Sequence, residues 1–178
     1  MRREVALLLA LLTCSAAPPE PANYRTEAYR APVPETLAGA EVLNTETAAE
    51  LWRKQAAVFI DVLPRPPHPA NLPAGTIWRD KPRLDIPGSI WLPDTGYGAL
   101  APVMEVYIRR GLAEASHGDR GQLLVFYCLA DCWMSWNAAK RALALGYTNV
   151  AWYREGTDGW AKAGLPLEVR DPVPRPGE

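Results

Sequence analysis

The chain has 178 residues, 48% hydrophobic and 22% charged, a balance that excludes a disordered or collagen-like polypeptide and suits one ordinary domain with extensions. Its formal net charge of -1 gives no basis for binding nucleic acid or an anionic membrane. Three cysteines are too few for a disulfide-framework scaffold, and the 2 histidines, His68 and His117, leave little from which to build a metal site.

In chain order, residues 1–16 read as an export signal. Arg2 and Arg3 make a basic start, Val5 to Leu12 are wholly apolar, and Thr13, Cys14, Ser15, Ala16 and Ala17 are small. The apolar run is too short to cross a hydrocarbon core, which takes roughly 20 residues, so no transmembrane helix is expected. Cleavage after Ala16 leaves residues 17–178. Leu11-Leu12-Thr13-Cys14 also resembles a lipobox, in which Cys14 is lipidated and retained. Either way the mature domain is exported, and the expected location is the periplasm.

Residues 17–40 hold Pro18, Pro19, Pro21, Pro32 and Pro34 and little apolar periodicity, and read as an extended lead-in lying on the domain surface. The main domain is expected over 41–170, with 171–178 as a tail. Glu41 to Leu43 suits a short strand and Thr45 to Gln55 a helix capped by Asn44 or Thr45. Ala57 to Val62 is a nearly continuous apolar run, as in a strand buried on both faces. Prolines at 64, 66, 67, 69, 73, 82 and 87 then exclude a central strand or a long helix and predict an ordered, extended flap.

A strand over Ser89 to Leu92 precedes a helix over Leu100 to Ala115. Leu123 to Tyr127 is a second buried strand, ending at Cys128. A loop follows, then a helix from Ser135 to Leu145 stopped at Gly146, a strand from Asn149 to Tyr153, and a short helix within 156–163. Alternating strands and helices predict an α/β fold, a central mostly parallel sheet with helices on both faces. Functional sites in such sheets lie beyond the carboxyl ends of the strands, where Cys128 falls.

Cys128 and Cys132 bound a loop between a strand and a helix N-terminus, where unpaired N–H groups favour a thiolate, a persulfide or a bound oxyanion. Helical residues four apart hold their Cβ atoms about 5–6 Å from one another, farther than the roughly 3.5–4.5 Å of a disulfide. Pairing therefore requires the loop to curl. A reducible pair, a structural clip and a sulfur-carrying thiol all remain open here. Zinc is set aside for want of ligands, and cysteine-protease chemistry for want of a placed histidine base. Trp133, Trp136, Trp152 and Trp160 lie on segments expected to meet around the loop. Of these, Trp133 and Trp136 are candidates to shape a partner's approach, with Asp131 and Ser135 beside them. Asp61 ends its strand near the same place, where local pairing that holds the flap stands beside an acid–base role.

From Ala57 to Leu167 the chain resembles a rhodanese domain. The resemblance rests on Phe59-Ile60-Asp61-Val62, Ile86-Pro87-Gly88-Ser89-Ile90, Leu124-Val125-Phe126-Tyr127-Cys128, Ala138-Ala139 before Leu143, Gly146 and Tyr147, and Gly156-Thr157-Asp158-Gly159-Trp160 before Gly164-Leu165-Pro166. Within that superfamily, Cys128 to Ala142 is similar to the exported subgroup named for a CXXCW motif and associated with PQQ-dependent catabolism, although three residues separate the cysteines here. The resemblance implies that Cys128 occupies the sulfur-carrying position. No bound cofactor is expected. The resemblance implies service to a PQQ-dependent oxidation with a periplasmic partner such as a quinoprotein dehydrogenase or cytochrome c. That service is either that of a redox or sulfur-handling protein or that of a non-enzymatic module that helps assemble the dehydrogenase. No arginine stands between Cys128 and Lys140, which argues against phosphatase chemistry. Asp131 would repel thiosulfate, which argues against ordinary thiosulfate sulfurtransferase activity.

Overall fold

A computed structural model describes residues 17–66, 69–77 and 82–175. Residues 1–16, where an export signal with Cys14 is expected, and His68 fall outside the described residues. The elements in order are β1 (Glu41–Leu43), α1 (Thr45–Arg53), β2 (Val58–Asp61), β3 (Arg83–Asp85), β4 (Ile90–Trp91), α2 (Pro102–Ala115), β5 (Leu124–Tyr127), α3 (Trp133–Ala144), β6 (Val150–Tyr153), α4 (Gly156–Lys162) and β7 (Glu168–Arg170). The main sheet has the order β1-β6-β5-β2-β4 and every pairing in it is parallel. β3 and β7 form a separate antiparallel ribbon with Leu84 opposite Val169.

Period-two alternation sends neighbouring residues of each strand into different cores. Ile60, Leu124, Phe126 and Trp152 pack under α2 and α3, while Phe59, Val125, Tyr127 and Tyr153 pack under α1 and α4. Both faces are therefore covered, as parallel sheets require. Local sequence sets the helix ends. Asn44 caps α1 through a hydrogen bond from the Thr47 amide, and Pro102 opens α2 where its missing N–H costs nothing. Gly146, at φ 87, follows the end of α3.

Residues 17–40 form no helix or named strand, and they do more than lie on the surface: Val33 and Leu37 are buried in the core beneath α3. The segment is tied down by Asn137, whose side chain accepts the Arg25 N–H at 2.9 Å and donates to the Arg25 carbonyl at 2.8 Å. Arg25 lies over the Trp133 ring, Lys140 over Trp136, and Arg141 over Tyr24. Arg141 is itself buried and donates to the carbonyls of Thr95, Tyr97 and Gly98, fixing the 95–98 loop beside the lead-in.

Candidate functional site: the Cys128–Cys132 loop

β5 ends at Tyr127, and the next residue, Cys128, turns toward the α3 face of the sheet. The chain then curls instead of starting a helix. Asp131 takes φ 49, in the left-handed region, and Cys132 is extended at φ -119 and ψ 105 as the N-cap of α3. The curl brings Cys128 and Cys132 to a Cα–Cα distance of 6.4 Å, and their sulfurs are joined in a disulfide. Helix α3 begins at Trp133, two residues before the expected Ser135, because the turn is completed at Asp131 and Cys132 alone.

The disulfide is buried, and the backbone around it is occupied by groups of the same chain. The Ala130 amide donates to Asp158 Oδ2 at 3.1 Å, and the Trp133 amide donates to the Tyr29 carbonyl at 2.9 Å. The Cys128 carbonyl accepts the Thr157 amide at 3.0 Å and the Thr157 hydroxyl at 3.3 Å. These groups include amides that an anion or a persulfide at the head of α3 would need. Here internal carbonyl and carboxylate oxygens satisfy them.

The sequence-predicted residues sort clearly. Cys128, Asp131, Cys132, Trp133, Ser135 and Trp136 share one loop and its helix. Ser135 Oγ donates to the Cys132 carbonyl at 3.0 Å and accepts the Trp152 indole N–H at 3.0 Å. Asp131 has an exposed side chain, and its carbonyl accepts the Ala31 amide at 3.2 Å. Trp133 and Trp136 pack edge to face with centroids 5.5 Å apart. Both are buried, with indole N–H groups directed to the Pro32 and Thr36 carbonyls. The segment they engage is thus the chain's own lead-in, whose prolines leave carbonyls uncommitted to regular structure. Trp160 lies on the opposite face, among Phe59, Tyr153 and Trp52.

Asp61 also lies on that opposite face. It is buried, and its Oδ2 accepts Arg83 Nε at 2.6 Å while Oδ1 accepts the Leu63 amide at 2.9 Å. Burial pushes its carboxyl up, against the pull of Arg83 and the Leu63 amide. Burial likewise works to lower the Arg83 guanidinium, and Asp61 overcomes it and holds that group firmly cationic. Arg83 also donates to Thr157 Oγ1 at 3.2 Å, so Asp61 reaches the disulfide loop through two intervening side chains. The sequence gives no role to Arg83, since an arginine in a proline-rich flap carries no signal of its own, and Thr157 enters there only as part of the stretch from Gly156 to Trp160.

Two clefts flank the loop. One of about 520 Å³ is lined by Thr45, Ala130, Glu155, Asp158 and Lys162 among others. The other, of about 440 Å³, is walled by Trp133 and by lead-in residues between Pro18 and Glu27. Among the described residues no cluster of His, Cys, Asp and Glu could hold a metal ion, and no helix is long and apolar enough to cross a membrane.

The model of the rhodanese-like domain matches residues 44–163. The chain belongs to the rhodanese-like domain family. No curated protein matches it. A thiosulfate sulfurtransferase from Pseudomonas aeruginosa is similar in fold, with a TM-score of 0.52 at 21% identity over 78% of this chain. This chain spans only 22% of that protein's length. The polysulfide-sulfur transferase homodimer of Wolinella succinogenes aligns over 75% of this rhodanese-like chain and 82% of its own, with 19% identity and a TM-score of 0.46. At 21% identity the likeness to the Pseudomonas protein is one of fold alone.

Proposed function

We propose that this rhodanese-like domain is an exported accessory protein whose Cys128–Cys132 pair works as a thiol–disulfide couple, serving a PQQ-dependent oxidation in the periplasm. One observation carries the reading: a disulfide closes the loop at the carboxyl end of β5, and the resemblance assigns the sulfur-carrying position to Cys128 in that loop. In the reduced form Cys128 is the attacking thiol, aided by the N-terminus of α3, and Cys132 is the resolving thiol. Reduction balances as a two-electron exchange in which a partner dithiol becomes a disulfide and the pair becomes two thiols. The partner is a periplasmic protein, a quinoprotein dehydrogenase or a cytochrome c, and the cleft walled by Trp133 and by lead-in residues between Pro18 and Glu27 offers it an approach to the loop. No bound cofactor is required for this exchange.

The test is a redox titration of residues 17–178 in dithiol buffers, read by mass after alkylation, together with the thiol pKa of Cys128. A pair that equilibrates with physiological dithiols and a Cys128 pKa below that of an ordinary thiol support the couple. A pair that stays oxidised under strong physiological reductants reduces the disulfide to a structural clip. Binding of the partner would then survive Cys128→Ser with Cys132→Ser.

Family membership favours a second reading, transfer of sulfane sulfur on reduced Cys128. It predicts a mass increase of one sulfur atom after incubation with polysulfide, abolished by Cys128→Ser. The internal acceptors on the Ala130 and Trp133 amides weigh against it, since a persulfide would find those donors already engaged.

A further inference from the structure

Beneath the disulfide loop, on the α1 and α4 face, two carboxylates are buried against one guanidinium. Asp61 closes β2 and Asp85 closes β3, and neither side chain is exposed. Arg83 Nε is 2.6 Å from Asp61, while its Nη2 stands 3.9 Å from Asp85 Oδ1. Were both acids ionised, the site would keep a surplus buried charge, which proteins avoid by protonation.

The hydrogen bonds around Asp85 suit a proton. Its Oδ1 is bonded to the Tyr127 hydroxyl, and its Oδ2 is buried without a hydrogen-bond partner. That oxygen suits the carbonyl of a neutral acid better than half of a carboxylate. Tyr127 is also 2.8 Å from Ser89 Oγ, which lies 2.6 Å from the Ile86 carbonyl, and the Ile86 amide donates to Tyr127 Oη at 3.3 Å. Two proton arrangements therefore fit the same heavy atoms. With Asp85 ionised, Tyr127 donates to Asp85 Oδ1. With Asp85 neutral, Asp85 donates to Tyr127, Tyr127 to Ser89, and Ser89 to the Ile86 carbonyl.

We propose that Asp85 is a proton-linked positioning residue for the disulfide loop. The neutral acid leaves Arg83 to Asp61 and to the Thr157 hydroxyl. Loss of the proton to water creates a second anion that draws the guanidinium off Thr157 and loosens that residue's hold on the Cys128 carbonyl. Burial first, and the charge of Asp61 second, raise the Asp85 carboxyl to about 7, against the pull of Tyr127, Arg83 and the Ile86 amide. Burial and the neighbouring carboxylates keep Tyr127 a neutral phenol by raising it well above its ordinary value. The other charged neighbours are engaged elsewhere. Glu168, opposite Asp85 on β7, pairs with Arg170 and accepts the Gly88 amide, and Asp158 on α4 is turned to the Ala130 amide.

The proposal deepens the reading of Cys128 and Cys132 as a working couple, and it is tested on the oxidised full chain. Carboxyl-carbon NMR of Asp85 should titrate near neutrality, and a midpoint in the ordinary carboxylate range overturns the proposal. Hydrogen exchange of the Thr157 amide, corrected for its intrinsic pH dependence, should quicken several-fold as pH rises through the Asp85 midpoint. The same rise should be absent in Asp85→Asn, and an equal rise in that variant, or none in the wild type, also overturns it. Neither measurement uses thiol chemistry. A disulfide that never turns over leaves both readouts intact, and a failed titration leaves the couple standing.

Discussion

Thr157 holds Cys128 by two hydrogen bonds to a single carbonyl, one from its amide at 3.0 Å and one from its hydroxyl at 3.3 Å. The residue before it permits this approach. A Cβ on Gly156 would stand 2.4 Å from the Cys128 oxygen, and Gly156 takes φ 53, which side chains rarely adopt. The start of α4 is therefore fitted to the backbone of the disulfide loop. This pairing links the two faces of the sheet, because Thr157 also receives Arg83.

Gly156→Ala should destabilise the domain by about 2–4 kcal/mol, combining left-handed strain with a clash against backbone that cannot yield. Thr157→Val, which keeps shape and the amide bond, should cost about 1–2 kcal/mol for the lost hydroxyl and the Arg83 donor left behind. Chemical denaturation of the oxidised proteins measures both. Equal losses in the two variants would contradict the close approach at Gly156.

The disulfide closes a very short loop, so its entropic effect on the unfolded chain is small, about 2 kcal/mol. Cys132→Ser should lower the unfolding free energy by roughly that amount, read as a lower denaturant midpoint at an unchanged slope of the transition. A changed slope would mean that the loop organises more of the fold than its length implies.

The division between sheet and helices was legible in the sequence because buried strands and capped helices carry their own patterns. Leu123 to Tyr127 and Ala57 to Val62 are apolar runs bounded by turns, and Asn44 and Gly146 mark helix ends. β3 and β7 were not legible. Both lie beside prolines, at 82 and 87 and at 166 and 172, and Leu84 meets Val169 only by long-range pairing. Val33 and Leu37 gave no warning of burial because prolines interrupt any pattern around them. At the site, the spacing of Cys128 and Cys132 identified the loop, and the need for a curl was met at Asp131. Asp85 was missed because one acid between Leu84 and Ile86 reads as the outward residue of an ordinary alternation. Its burial arises from the Tyr127 hydroxyl, which the chain supplies forty-two residues later.

Docking of the lead-in should control access to the disulfide. Asn137→Ala removes the paired hydrogen bonds to Arg25 and a third to the Gly96 carbonyl, while the covalent loop is untouched. The variant should lose about 2–3 kcal/mol of stability. The rate of reduction by a small phosphine should rise at least several-fold under conditions where the protein remains folded. An unchanged rate, with the lead-in shown by proteolysis to have loosened, would place the route to the sulfurs at the Ala130 side instead.

Stability should also depend on pH through Asp85, with a sign opposite to that of an ordinary salt-bridged carboxylate. Its carboxyl is raised from 3.8 to about 7 in the fold, so the native state holds a proton that the unfolded chain releases earlier. The contribution is fully present below the unfolded value, declines as pH rises through that window, and is flat above the folded value. Asp85→Asn carries no such proton. The unfolding free energy of the wild type minus that of the variant should therefore fall from about pH 4 to about pH 7 and then level. Denaturant titrations at a series of pH values measure this difference directly. A difference that rises over the same window would require Asp85 to be an anion stabilised by Arg83, and would reverse the assignment of the proton.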